Sequence, residues 1–119
     1  MRFFIQIAHG PDAGSLAHRG LLIARAAAEK GHEVDVFLAG GATGLLAQEE
    51  LELATAFGPR VGELVAAILA RGGRIYASSA AIADRGVVLP ADIASRVEPS
   101  PPDTIIDLAV AADRVLTYG

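Results

Sequence analysis

Val61–Val87, VGELVAAILARGGRIYASSAAIADRGV, is the stretch whose reading decides the fold. Val61, Leu64, Val65, Ile68 and Leu69 recur at i, i+3, i+4, i+7 and i+8, which is one face of a helix. Arg71-Gly72-Gly73 ends that helix, and Arg74-Ile75-Tyr76-Ala77 follows as a short predicted strand with a polar exit at Ser78-Ser79. Helix, tight turn and strand in this order make up one half of an α/β unit.

The same order repeats on both sides. Upstream, Phe3–Ala8 is a continuous apolar run, as expected of a strand covered on both faces. The Ala-rich Ser15–Lys30 reads as a helix closed by Lys30-Gly31, and Glu33–Leu38 as a second strand stopped by Gly40-Gly41. Thr43–Ala56 is ambiguous between a short helix near Gly44–Leu53 and an excursion ending at Gly58-Pro59. Downstream, Ala80–Glu98 has room for a short helix, and Val97 for a brief strand. Ser100-Pro101-Pro102-Asp103 reads as a helix start, with Ser100 as N-cap and Pro101 in the first turn. Ile105, Leu108, Ala109 and Ala112 form the apolar face of that helix, and Val115–Tyr118 is the last strand. The expectation is one α/β domain over residues 1–119, a three-layer sandwich with a mainly parallel four- or five-stranded sheet and helices on both faces. Right-handed crossovers put all strand C-termini on one edge, where such sheets bind ligands. Three loops meet there: His9–Ser15, Ala39–Thr43 and Ser78–Arg85.

Composition narrows the function classes. The chain of 119 residues is 52% hydrophobic and 20% charged, enough apolar material for a packed core. Aromatics are only 5%, so small side chains dominate and association with further copies is a plausible source of additional burial. The net charge of −4 and the single lysine, Lys30, exclude the clustered cations of a nucleic-acid footprint. Glu49, Glu50 and Glu52 read as a solvated face. No apolar run approaches the ~20 residues of a membrane span. MRFFIQIAHGPDAGS reads as a buried first strand and not as a signal peptide. With no cysteine there is no disulfide framework, and a cytoplasmic location is expected.

Three segments carry a family resemblance: ARAAAEKGHEVDVFL at Ala24–Leu38, Ile75-Tyr76 followed by the Asp84-Arg85-Gly86 turn, and Ala111–Tyr118 at the close. In order and spacing the chain resembles the DsrE/DsrF-like family over nearly its whole length. The resemblance implies a compact α/β sandwich assembled as trimers or hexamers, with relatives in sulfur-oxidation and tRNA-thiolation relays. It also implies that the relay cysteine would fall near Ser78–Ala81, where this chain has hydroxyls and alanines. A persulfide carrier needs a thiolate, so sulfur transfer through a thiol of this chain is excluded.

The candidate ligand-binding residues are His9, Gly10, Asp12, Gly40, Gly41, Ser78, Ser79 and Arg85, all on strand-end loops. The loop His9–Ser15 opens a helix and offers amides to an anion, yet it is neither GxGxxG nor a P-loop; a turn with Asp12 or Ser15 as cap is the favoured reading. Ser78 or Ser79 with His9 and Asp12 would supply the residue types of a hydrolase triad, but the G-x-S-x-G elbow is absent and turn hydroxyls are the simpler reading. His9, Asp12 and His18 fit no familiar zinc spacing, so no metal and no cofactor is expected, and no catalytic residue is assigned. Arg85 either faces a ligand anion or lies in solvent. Leu51, Leu53 and Phe57 form a lid or an oligomer contact, the contact being preferred. The leading expectation is a non-catalytic homo-oligomer, trimer or hexamer, that binds a small ligand, anions included, at the strand ends or acts as a scaffold. The alternatives are a partner subunit for a cysteine-bearing homologue in a sulfur relay, and a Ser/His hydrolase. Neither nucleic acid nor membrane is expected as a partner.

Overall fold

In the computed structural model, which describes residues 1–13 and 15–119, the alternating elements assemble into one sheet. The five strands are β1 (Arg2–Ile7), β2 (Glu33–Leu38), β3 (Arg74–Ser78), β4 (Val97–Ser100) and β5 (Arg114–Tyr118). Their order is β4-β3-β2-β1-β5 and every pairing is parallel. The helices are α1 (Ser15–Glu29), α2 (Gln48–Glu52), α3 (Val61–Ala70), α4 (Ser79–Arg85), α5 (Ala91–Ala94) and α6 (Thr104–Ala111). The chain steps outward from β1 to β4 and then crosses the sheet to place β5 on the other side of β1. Strand order therefore reverses between β1 and β5.

Two cores of unequal size follow. Alternate strand residues Ile5, Ile7, Val36, Leu38, Ile75 and Ala77 face α1 and α3, whose Leu21, Ala24, Leu64, Val65 and Ile68 complete the main core. The helix periodicity read at Val61–Leu69 is the buried face of α3, apart from the half-buried Leu69. On the other face, Phe4, Phe37 and Leu108 form a small core, with Tyr76, Ile105, Ala109 and Ala112 packed around it. This is the face of α6 that the sequence pattern indicates.

One expectation is corrected and one open reading is resolved. Ser100 is not a helix N-cap: it ends β4, pairs with Ser78, and its hydroxyl donates to the Glu98 carbonyl at 3.1 Å. Pairing with β3 holds it extended, Pro102-Asp103 make the turn, and α6 starts at Thr104 behind Asp103 without a side-chain cap. The ambiguous stretch is structured as a 3-10 turn over Gly40–Leu46 followed by α2. Leu51 of α2 is buried in the main core, whereas Leu53 and Phe57 are exposed. No described helix is long and apolar enough to cross a membrane.

Truncating Leu64, which is fully buried, should lower the unfolding free energy by about 2–5 kcal/mol in urea denaturation. Val88→Ala, at an exposed site, should change it by less than about 0.5 kcal/mol.

Candidate functional site

The strand-end loops converge through backbone contact. Gly10, just after β1, is buried against Gly41, just after β2. A Cβ on Gly10 would overlap the Gly41 carbonyl oxygen and lie 2.8 Å from its carbon, so only glycine permits this approach. Arg85, the last residue of α4, approaches the same side of Gly41 as the Gly10 amide: its Nη1 is 3.6 Å and its Cζ 3.8 Å from where a Gly41 Cβ would stand, and Gly10 N is 3.5 Å from that point. Gly86 ends α4 in the left-handed conformation. Arg85 is exposed beside the Gly41 turn, and it belongs to none of the ion pairs among the described residues, which join Arg2 and Arg74 to Asp35 and Arg25 to Glu29. A groove of about 430 Å³ runs past it, with Pro11, Glu49, Glu50 and Val88 among its walls. Thr43 is fully buried and donates to the Gly40 carbonyl at 2.9 Å, fixing the turn that presents Gly41.

The other candidates lie near this point without joining it. Ser78 Oγ accepts the Ala81 amide at 3.2 Å and is the N-cap of α4. Ser79 Oγ donates to the Ser100 carbonyl at 3.2 Å and ties α4 to the end of β4. His9 is exposed and its imidazole lies against Gly119 at the end of β5, and neither serine has a hydrogen bond to it. Asp12 is exposed in a 3-10 turn over Pro11–Ala13. Gly14, at the opening of α1, lies outside the described residues, and so does the capping or anion-binding role read for that helix start. Among the described residues there is no group of three or more potential metal-ligating side chains.

Two polar features were not legible in the sequence. His18, expected only to sit within the first helix, is buried in α1 and its Nε2 donates to the Pro59 carbonyl at 2.6 Å. The available signal was its position one residue from Ala17 and three from Leu21, within the apolar stripe of α1. Asp35 is only 1% exposed, on the α6 side of β2. It accepts from Arg2 Nε at 2.9 Å, and Arg74 Nε lies 3.2 Å from its other oxygen, Oδ1. That second contact is Coulombic, since Oδ1 has no aligned hydrogen-bond donor. Burial, and next the field of Asp35, push the neighbouring Tyr76 phenol up from its ordinary value, with Arg74 opposing.

A five-stranded parallel sheet with helices on both faces, its strand-end loops in contact at Gly10 and Gly41, defines an α/β sandwich. The sequence profile of the DsrE/DsrF-like family matches residues 1–118, and the chain belongs to that family. Its fold is similar to that of the ychN protein from E. coli, with a TM-score of 0.78 at 18% identity over 99% of this chain and 100% of that one. It is also similar to a conserved protein of unknown function from Bacteroides thetaiotaomicron, with a TM-score of 0.69 at 14% identity over 98% of this chain and 93% of that one. No curated protein matches the chain in sequence.

Gly10→Ala should force the two loops apart and cost about 1–3 kcal/mol, measured by chemical denaturation. The raised Tyr76 value makes a second prediction. The folded state keeps this phenolic proton at pH values where the unfolded chain has lost it. The resulting stabilisation is complete below the ordinary phenol value of about 10 and declines as pH rises through the folded value. The urea midpoint should fall on the alkaline side, and Tyr76→Phe should make that fall shallower.

Proposed function

We propose that this DsrE/DsrF-like protein is a non-catalytic, cytoplasmic homo-oligomer that binds a small ligand at the C-terminal strand ends. The observation that carries the reading is Arg85, whose guanidinium is set against the Gly41 backbone and engaged in no ion pair among the described residues. A guanidinium so placed offers directed donors to a carboxylate or phosphate-like group. Glu49 and Glu50 share the groove, so a small monoanion confined to the Arg85 end suits the charge pattern better than a polyanion does. The serines contribute shape: their hydroxyls already cap α4 and tie it to β4.

Assembly is supported by the thinly covered second face of the sheet. Ile106 and Val110 of α6 are 64% and 82% exposed, and Val115 of β5 is 46% exposed. The same face supports a second reading, in which this cysteine-free chain pairs with a cysteine-bearing homologue in a sulfur-handling complex.

Native mass spectrometry of the purified protein tests both readings. The expected result is a trimer or hexamer carrying a constant extra mass, with Arg85→Ala keeping the subunit count and losing that mass. A bare oligomer would replace ligand binding with a scaffold role, and a monomer would overturn the assembly. Exchange of subunits with a cysteine-bearing homologue would favour the second reading.

A further inference from the structure

A second concavity adjoins the Arg85 groove across Pro11 and Glu50 and lies beneath the segment that joins α2 to α3. After Glu52 the chain makes a small loop, closed by an antiparallel bridge between Thr55 and Gly58, and re-enters a helix at Val61. Under this loop is a cavity of about 290 Å³. Leu45, Leu53, Phe57 and Val61 supply its apolar walls, and Ala17 and His18 of α1 line it from the helix side.

His18 holds the loop in place. Because the Pro59 carbonyl can only accept, the Nε2 of this 5% exposed imidazole carries the hydrogen of their 2.6 Å bond. Its ring meets that of Phe57 at a centroid distance of 6.3 Å, tilted by 52°. Gly58 sits over the imidazole at φ +133°, with a position for Cβ only 3.2 Å from His18 Cε1, so the loop closes here only with glycine. Leu53 and Phe57 remain 59% and 51% exposed, at the mouth rather than in the core.

The charge at this cavity has one sign. Among the described residues that line it, Glu50 is the one acidic side chain and there is no lysine or arginine. Glu49 and Glu52 on the same short helix add to the negative field. An apolar cavity of about 150 Å³ holds a benzene ring, so this one has room for a ring with a short chain. Apolar walls take the body of such a ligand, the Glu50 carboxylate takes a positive end, and the Phe57 ring adds a cation–π contact.

We propose that the cavity under the Leu53–Arg60 loop is a binding site for a small amine with a compact apolar body, of the arylalkylamine class, with Glu50 recognising the ammonium and Phe57 and Val61 the body. The proposal does not rest on the strand-end reading, although Pro11 and Glu50 border both concavities.

The test is an NMR titration of the full chain with three probes of one size and different charge: phenethylamine, 2-phenylethanol and phenylacetate. The expected result is saturable binding of phenethylamine that shifts the amides of His18, Leu53 and Phe57, with phenylacetate about three- to ten-fold weaker or more. Glu50→Gln should bring the amine down to the level of the alcohol, and Phe57→Ala should weaken both. Because Phe57 is half exposed, its variant should keep the parent thermal midpoint closely, and Arg85→Ala should leave amine binding unchanged. Absence of saturable amine binding, equal binding of amine and phenylacetate, or shifts centred on Gly41 and Arg85 would each overturn the proposal.

Discussion

The handedness of the crossovers governs the rest of this structure. Each step from β1 through β2 and β3 to β4 moves in one direction across the sheet, and right-handed connections therefore place α1 and α3 on the same face. The step from β4 to β5 goes back across the whole sheet, and α6 is left to cover the opposite face. That asymmetry explains why one core is a broad aliphatic layer and the other is centred on Phe4, Phe37 and Leu108. It also explains how Asp35 can occupy the middle of the sheet. On the thinly covered face its carboxylate is reached by Arg2 and Arg74 from the two adjacent strands, and both arginines keep contact with water. Two solvated partners make the pair tolerable where a fully enclosed one would cost several kcal/mol of desolvation.

The carboxyl edge of the sheet shows what a missing thiol leaves behind. Ser78 caps α4 and Ser79 begins it where the family resemblance places a relay cysteine, and both hydroxyls are engaged in fixing that helix. The Arg85 guanidinium, at the other end of α4, makes no ion pair among the described residues. No thiolate is present at this edge, and the charged group nearest the Gly41 turn is the exposed Arg85 guanidinium at the far end of α4.

Much of this was legible in the sequence, and the limits have physical causes. A continuous apolar run marked β1, and the spacing from Val61 to Leu69 marked α3, because burial on both faces of a sheet and on one side of a helix leaves those patterns. Ser100 was misread because Ser-Pro-Pro-Asp satisfies local rules for a helix start, while the pairing of Ser100 with Ser78 is a tertiary contact of 22 residues' separation. The loops holding Gly10 and Gly41 could be named, but their mutual contact depends on the register of β1 with β2. His18 could not be separated from a surface histidine, since the partner that makes it structural, the Pro59 carbonyl, is a main-chain atom and leaves no residue-type signal. The corresponding difficulty for Asp35 is that alternation in a doubly covered strand does not reveal which face is thin.

The outer strand β4 has a consequence for behaviour in a crowded solution. It spans only four residues, Glu98 and Pro99 are exposed, and proline brings no N–H to a neighbouring chain. A strand arriving at this border meets a short, charged and interrupted template, which blocks the row-by-row growth that turns sheet edges into fibrils. Copies of this chain can therefore crowd together face to face without the sheet itself polymerising along β4.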